Sequence, residues 1–214
     1  MEAEKSHYED WYPTLGKVQA YLVEQIRRYS EKAKEETGHA AYEHLIYRVK
    51  EPSSMNEKCT RKGYEVSAYT ALRRLYDAIG LRVVCRFISD IYWNIEMIRK
   101  LPGCRVVREK DYIRNVKPNG YRSYHMIIEL EAPFEDIDGN DPGRFYAEIQ
   151  LRTIAMDTWA SLEHEMKYKH DIRNPELIVS ELKRCADELA ACDLSLQTIR
   201  NLIQSDPDSQ EKER

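Results

Sequence analysis

Two acidic residues lie where the sequence predicts the mouth and the polar face of a β-sheet. Asp77 comes shortly before the apolar run 81–88, and Glu148 alternates with apolar residues inside 144–152. Mg²⁺ prefers one or two carboxylates together with phosphate oxygens, so this pair suits metal-assisted phosphoryl transfer. Taken singly, Asp77 is more typical of a helix end or turn than of a metal ligand, and the polar face of 144–152 is also what solvent exposure produces.

A second group of reactive side chains lies in the stretch KPNGYRSYHMIIEL, residues 117–130. Lys117 and Arg122 can bind phosphate. Tyr121 follows a glycine and can stack on a base, and His125 lies at the start of an apolar strand. Tyr121 is also typical of a surface aromatic residue, and His125 of a hydrogen-bonded strand histidine. Together with two basic segments and two acids, the group favours a nucleotide-phosphate site.

Positive charge is concentrated in two segments of a chain whose net charge is −4. Residues 48–62 carry five cations and two acids, and residues 99–122 carry eight cations and two acids. An acidic protein with two basic segments suggests a local anion site more than a general nucleic-acid surface. Solvated surface runs are the alternative interpretation of the same charges.

The predicted elements that must position these residues give an α+β fold, a mixed β-sheet flanked by helices with further helices at both ends. A basic loop, 48–58, leads into a short helix at Pro-Ser-Ser, and 131–143 is a turn-rich connection between strands. The predicted helices are 15–36, 67–76, 89–101, 153–169 and 175–203. The predicted strands are 81–88, 104–109, 123–130 and 144–152.

The last predicted helix carries apolar residues at alternating spacings of three and four, which is typical of a coiled-coil seam. The same repeat also suits packing on the helix's own domain, and the sequence leaves both possibilities open. The residues are Ile178, Leu182, Cys185, Leu189, Cys192, Leu196, Ile199 and Ile203.

Composition places the chain among water-soluble globular proteins, with 42% hydrophobic and 33% charged residues. The acidic, polar start of the chain is unlike a signal peptide, and the sequence shows no membrane span. The five cysteines are odd in number and include no CxxC pair, so we expect free thiols and no zinc site. These features predict a cytoplasmic location without membrane association.

Several motifs resemble the synthetase domain of the RelA/SpoT alarmone synthetases, and most closely its small single-domain members. They are LIYRVKEPSSMNEK, DAIGLR, KDYIRNVKPNGYRSYH, AEIQLRTIAMDTWASLEH and the following KYK, spread over about residues 40–200. The resemblance implies a nucleotidyltransferase-like synthetase domain at 40–170. An N-terminal helical segment would occupy 1–39, and a C-terminal helix with a polar tail would occupy 171–214.

The activity that the resemblance implies is pyrophosphokinase chemistry. The β,γ-diphosphate of ATP moves to the ribose 3′-OH of GDP or GTP, which gives ppGpp or pppGpp and AMP. Asp77 and Glu148 resemble the Mg²⁺ ligands and catalytic residues, with Glu148 orienting or deprotonating the 3′-OH. The residues that resemble ATP ligands are Arg48 and Arg82 around adenine, and Lys50 and Lys58 on the phosphates. Those that resemble acceptor ligands are Tyr121 stacking on guanine, Lys110, Lys117, His125, Gln150, Arg152, and Asp157 at the guanine edge.

The resemblance also implies a homo-oligomer, such as a tetramer formed through terminal helices. Some small relatives act as toxins of toxin–antitoxin pairs, which make adenosine alarmones or modify the 3′ CCA end of tRNA. Arg27, Arg28 and Arg114 would extend a basic surface for such a tRNA, although Arg27 and Arg28 are equally typical of a solvated helix face. A non-catalytic nucleotide-binding or RNA-binding regulator is a third possibility. The pair His170-Asp171 has no upstream partners, so we expect synthesis without hydrolysis.

Overall fold

The computed structural model describes residues 7–167 and 174–205, and across them the strands form one mixed five-stranded sheet. The strands are β1 (His44–Val49), β2 (Ile79–Cys85), β3 (Cys104–Asp111), β4 (Tyr124–Ala132) and β5 (Gly143–Thr153). Their order in the sheet is β1-β2-β5-β4-β3. Strands β2 and β5 run parallel, and the other neighbouring pairs run antiparallel. The predicted α+β class is confirmed.

Helices lie along the sheet and extend from both ends of the described chain. After a 3-10 turn, Tyr8–Trp11, they are α1 (Tyr12–Thr37), α2 (Pro52–Arg61), α3 (Ala68–Arg73), α4 (Ile88–Arg99), α5 (Ile154–Lys167) and α6 (Pro175–Ser205). The helix predicted at Pro-Ser-Ser begins at Pro52, as expected of proline in a first helical turn. Within residues 7–167 and 174–205, no helix is both long and apolar enough to span a bilayer.

The core lies between one face of the sheet and helices α1 and α4. A buried hydrogen bond of 2.8 Å from the hydroxyl of Tyr29 to Oδ1 of Asn94 joins the two helices. Because side chains alternate across a strand, burying one face of β5 leaves its polar residues on the other face. The core residues of β5 are Phe145, Ala147, Ile149 and Leu151, and those of α1 include Leu15, Val18, Leu22 and Ile26.

One strand was not predicted: β1 covers residues 44–47, to which the sequence analysis assigned no element, and the first two residues of the predicted basic loop 48–58. It is an edge strand that pairs with β2 and keeps most of its side chains exposed. An exposed edge strand needs no alternation of apolar and polar residues, so the pattern that reveals other strands is missing. Arg48 therefore lies on a strand, and the loop is limited to Lys50 and Glu51.

Helix α6 packs on its own domain along one side and exposes the other. Ala186 and Asp193 are buried, and Leu182 and Leu189 are half-buried against the domain. The buried side is displaced from the predicted seam because an alanine and an aspartate do not register in an apolar repeat. The seam residues that are exposed are Cys185, Cys192, Leu196, Ile199 and Ile203. The five cysteines are free thiols, and Cys59 and Cys85 are buried.

Candidate active site

The polar face of the sheet brings candidate residues from four strands into one transverse row. Arg82 of β2 pairs with Gln150 of β5, which pairs with His125 of β4, which pairs with Lys110 of β3. Cross-strand partners point to the same face, so the four side chains share a surface. In the adjacent row, Glu148 lies opposite Gly80. A glycine there leaves space on the sheet beside the carboxylate.

Asp77 lies at the end of this face with two lysine side chains on it. The ammonium groups of Lys50 and Lys58 each lie 2.5 Å from Oδ2 of Asp77. The hydroxyl of Tyr8 donates to the carbonyl of Lys50 at 2.8 Å and so fixes the start of the basic loop. Oδ1 of Asp77 is buried and accepts no hydrogen bond from the described residues. One carboxylate therefore gathers two cations and keeps a free acceptor atom.

The backbone immediately before Asp77 is strained. Tyr76 has a φ of 59°, in the left-handed region that bulky residues rarely adopt. Its ring packs on that of Tyr146 with centroids 4.5 Å apart. Such strain persists where surrounding packing imposes it, and it is frequent beside functional groups. The turn also shortens the predicted helix 67–76, which ends at Arg73.

Glu148 is held in the middle of the face by two neighbours. Nδ1 of His125 lies 3.3 Å from one carboxylate oxygen, and Nε2 of Gln150 donates to the other at 3.3 Å. Burial by itself raises the pKa of Glu148, but the hydrogen bonds from His125 and Gln150 and the positive charge of Lys58 outweigh it and lower the pKa overall. The carboxylate is therefore ionised at neutral pH and available as a hydrogen-bond acceptor.

Five side chains, with Glu148 among them, form a closed ring of hydrogen bonds. Arg152 donates to the carbonyl oxygen of Gln150 at 2.9 Å and to the hydroxyl of Tyr121 at 2.8 Å. The hydroxyl of Tyr121 lies 2.8 Å from Nε2 of His125. Arginine can only donate, so the network assigns the tyrosine proton to Nε2 and the imidazole proton to Nδ1. Both paths from Arg152 therefore direct hydrogen bonds towards the Glu148 carboxylate.

An aromatic cluster with a cation lies next to this ring. The rings of Tyr112 and Tyr121 are 6.0 Å apart and meet edge to face. The ammonium of Lys117 lies 4.6 Å from the centroid of Tyr112 and 4.8 Å from that of Tyr121. Flat rings beside a cation suit a nucleobase with attached phosphates. Sequence reasoning missed Tyr112, although its position between the end of β3 and the loop that carries Tyr121 was the available signal.

Asp157 is shared between two arginines. Its Oδ1 accepts a hydrogen bond from Arg152 at 3.0 Å and forms an ion pair with Arg82 at 3.1 Å. Burial, followed by the charge of Arg152, lowers the pKa of Arg82, and Nε of Arg82 is buried without a hydrogen-bond partner among the described residues. The cations outnumber the anions here, so an additional electron-rich group would be stabilised.

The predicted ATP ligands divide into two groups. Lys50 and Lys58 meet at Asp77, whereas Arg48 lies on the adjacent edge strand, opposite Gly80. Arg48 and Arg82 occupy the same face of neighbouring strands, two residues apart in register. Lys110 is exposed at the far edge. Arg122, which the sequence suggested as a phosphate ligand, is instead bonded to helix α6.

The donor set fits a magnesium ion held jointly with nucleotide phosphates. Across residues 7–167 and 174–205, no group of three or more histidine, cysteine or acidic side chains is placed to hold a metal alone. Mg²⁺ does not need such a group, because it usually keeps water and binds one or two carboxylates plus phosphates. The buried, unpaired Oδ1 of Asp77 supplies a suitable oxygen.

Comparison with known proteins decides the family. Residues 47–173 match the family described as "Region found in RelA / SpoT proteins". The chain belongs to the RelA/SpoT family. GTP pyrophosphokinase YwaC of Bacillus subtilis is 43% identical over 150 residues, which are 70% of this chain and 70% of the relative. GTP pyrophosphokinase YjbM of the same organism is 33% identical over 169 residues, 79% of this chain and 77% of the relative.

A solved structure of a small alarmone synthetase agrees with this assignment. Small alarmone synthetase 1 from Bacillus subtilis, bound to its product pppGpp, superimposes with a TM-score of 0.80 and 29% sequence identity. The match covers 92% of this chain and 98% of that chain. The predicted resemblance to small alarmone synthetases is therefore confirmed, together with the fold that it implied.

Proposed function

We propose that this RelA/SpoT family chain transfers the β,γ-diphosphate of ATP to the ribose 3′-OH of GDP or GTP. The products are ppGpp or pppGpp and AMP. One arrangement carries the proposal: a lysine-paired aspartate and an ionised glutamate lie on one sheet face, beside an aromatic cluster suited to a second nucleotide. The names of the relatives, both GTP pyrophosphokinases, support the same chemistry.

The donor nucleotide occupies the Asp77 end of the face in this proposal. Lys50 and Lys58 neutralise the ATP phosphates, and Arg48 and Arg82 enclose the adenine ring. Mg²⁺, when bound by Asp77, supplies further neutralisation of the phosphate charge. Binding of ATP gives the two lysine ammonium groups phosphate oxygens as new partners, which frees the aspartate for the metal.

The acceptor nucleotide occupies the Tyr121 end. Guanine stacks on the Tyr121 ring, and Lys110 and Lys117 contact the 5′ phosphates. Asp157 accepts hydrogen bonds from the N1–H and N2–H groups of guanine, a donor pair that matches a carboxylate. Arg152 and Arg82 on Asp157 hold its carboxylate in place for this contact.

The chemical step joins the two halves at Glu148. Its carboxylate accepts a hydrogen bond from the 3′-OH, and the hydroxyl oxygen attacks the β-phosphorus of ATP. The bond from the β-phosphorus to the oxygen bridging the α-phosphorus breaks, and AMP leaves with that oxygen. The hydroxyl proton passes to Glu148. A lowered pKa suits this role, because proton transfer is late when the transition state is loose and positioning supplies most of the catalysis.

The direct test uses the purified protein with Mg²⁺ and ATP labelled on its γ-phosphate. Separate reactions contain GDP, GTP, adenine nucleotides or deacylated tRNA. We expect label on GDP or GTP, and a fall in rate of about 10²-fold or more in Glu148→Gln. Glu131→Gln, an exposed acid at the end of β4, is the matched control and keeps the parent rate.

Two outcomes would contradict the proposal. Label on tRNA or adenine nucleotides alone would give the same site a different acceptor, and the assignment of Asp157 to guanine would be wrong. Nucleotide binding without turnover, unchanged in Glu148→Gln, would leave a binding protein. The observed contacts do not favour the tRNA alternative, since Arg28 pairs with Glu24 and Arg114 with Asp111.

Two further properties belong to this proposal. We expect no hydrolysis of ppGpp by the chain; the pair His170-Asp171 lies outside the described residues. We also expect a homo-oligomer, with a tetramer as the anticipated form, assembled through the exposed side of α6. Leu196 and Ile199 on that side are 44% and 52% exposed, which is high for apolar side chains on an ordered helix.

A further inference from the structure

The loop that carries Tyr121 is enclosed by helices α5 and α6. Gly120 has a φ of +89°, and a Cβ added to it would lie 2.5 Å from Cβ of Ala186. The loop backbone therefore touches the side of α6 directly, and only glycine fits at this contact. On the other side, Nδ2 of Asn119 donates to Glu163 of α5 at 3.1 Å.

Arg122 fastens the loop to α6. One guanidinium nitrogen donates to the carbonyl of Gly120 at 3.1 Å and to the carbonyl of Ala186 at 3.0 Å. The other donates to Oδ1 of Asp187 at 3.1 Å. The planar fork of arginine makes these three bonds together, and lysine cannot reproduce them. The side chain is 17% exposed, so the guanidinium is committed to the helix.

Tyr121 itself belongs to the packing between the two helices. A small second core consists of Trp159, Ala160 and Ala186, and Tyr121 packs on its edge. The rings of Tyr121 and Trp159 are 6.3 Å apart. The indole nitrogen of Trp159 donates to the carbonyl of Leu182 at 2.8 Å. The position of the stacking tyrosine is therefore set by α5 and α6 as much as by the sheet.

Helix α6 has anchors that do not involve the loop. Oδ2 of the buried Asp193 accepts a hydrogen bond of 2.6 Å from Thr153 at the end of β5. Further along, Arg200 pairs with Asp90 at the start of α4. These contacts fix the helix on the sheet, and the loop then takes its position from the helix.

We propose that helix α6 is a structural part of the acceptor subsite, with Arg122 and Ala186 as positioning residues that hold Tyr121 ready for the acceptor base. Displacement of α6 at Ala186 weakens binding of the acceptor nucleotide and leaves the ATP half unchanged. The ATP ligands on β1, β2 and α2 make no hydrogen bond with α6 among the described residues. This inference rests on the proposed function.

The test compares Ala186→Leu with Ala191→Leu, an exposed position on the same helix. Leucine at 186 meets the loop backbone, whereas leucine at 191 points away from it. We expect Ala186→Leu to raise the KM for GDP or GTP about tenfold, the effect of losing one stacked base. The KM for ATP stays within about twofold, and Ala191→Leu behaves as the parent. Arg122→Lys raises the acceptor KM in the same direction.

Hydrogen exchange of the nucleotide-free protein tests whether helix α6 holds the Tyr121 loop in place, and it requires no enzymatic turnover. We expect faster amide exchange in residues 117–122 in Ala186→Leu and Arg122→Lys, with unchanged exchange in β2 and β5. A parent protein that transfers no label would refute the proposed function. The exchange data would still show whether helix α6 holds the Tyr121 loop. Unchanged exchange in the loop, or equal increases in the KM for acceptor and for ATP, would overturn the inference.

Discussion

Tyr121 combines a stacking surface with a hydroxyl that closes the hydrogen-bond ring, and the two parts can be separated by mutation. Tyr121→Ala removes the aromatic side chain and with it the stacking surface. We expect the KM for the acceptor nucleotide to rise by about 10- to 100-fold. Tyr121→Phe keeps the aromatic ring and loses the hydrogen bonds of the hydroxyl with His125 and Arg152. Its acceptor KM should rise only a few-fold, by about 1 kcal/mol. Steady-state kinetics with each nucleotide varied in turn distinguish the cases.

The KM for ATP is the internal control for both substitutions, since the donor residues lie at the other end of the face. Equal effects of Tyr121→Phe and Tyr121→Ala would mean that the hydroxyl network, and not stacking, places the acceptor. A loss of ATP affinity in either variant would contradict the division of the site into two halves.

At the scale of single residues, the sequence revealed which side chains belong to the candidate site. It did not reveal which hydrogen bonds and ion pairs these side chains form with one another in the absence of ligands. The ion pairs of Asp77 with Lys50 and Lys58 were not predicted, because the resemblance assigned the aspartate to a metal ion and the lysines to ATP phosphates. The role of Arg122 was hidden, because the α6 groups that bind it lie far along the chain. An arginine beside a tyrosine looks the same whether it faces phosphate or a helix.

Helix α6 provides a prediction at the scale of elements, through its buried Asp193. Burial raises the pKa of this carboxyl, although the hydrogen bond from Thr153 and the charge of Arg122 lower it. A carboxyl whose pKa is higher in the folded state favours folding most at low pH, and this contribution is lost as pH rises through the folded pKa. Asp193→Asn should therefore raise the free energy of unfolding near pH 7 by about 0.5–1 kcal/mol.

The gain should shrink towards about pH 3, where the aspartate is protonated in both states. Denaturant unfolding at several pH values measures it. Asp187→Asn is the control, and we expect it to change the free energy of unfolding in the opposite direction. Lys183 and Arg122 hold the pKa of Asp187 low, so that variant loses stability at neutral pH and little in acid. A destabilised Asp193→Asn at pH 7 would show that the charged hydrogen bond to Thr153 outweighs burial.

The elements with regular patterns were predictable, and those without were not. Helix α1 and strand β5 follow periods of 3.6 and 2 because each buries one continuous face. Strand β1 was missed because an exposed edge strand imposes no such pattern. The side of α6 that packs on the domain was not predicted, because its buried residues are Ala186 and Asp193. Neither residue belongs to the apolar repeat.

The whole molecule has one prediction of its own, which concerns assembly. Leu196 and Ile199 point away from the domain, so Leu196→Glu with Ile199→Glu leaves the docked side of α6 intact. If copies associate through this side, light scattering of the parent gives about four times the 25.3 kDa chain mass, and the double variant gives the single mass. Glu substitutions at Thr198 and Asn201, polar neighbours on the same helix, are the control. A parent of single mass would contradict the expected tetramer.

At this largest scale, the fold class followed from the order of predicted elements, and the family followed from long motifs in correct order. The layout of the site did not follow, because it depends on the parallel pairing of β2 with β5. Two strands far apart in sequence become neighbours, and the hydrophobic pattern of neither strand specifies its partner. The match to the RelA/SpoT family supplied what the local patterns could not.

That parallel pairing also determines when the molecule acquires its chemistry. The strand that follows Asp77 and the strand that carries Glu148 cannot join until the intervening strands and helix have been made, and contacts between distant segments form slowly. The loop that carries Tyr121 also packs on helix α6, which lies still later in the chain. A nascent chain or partly folded intermediate therefore has its lysines and carboxylates in place only as separate fragments. A chain that ends before β5 lacks Glu148, and a chain that ends before α6 lacks the helix that packs on the Tyr121 loop, so neither contains the complete proposed site.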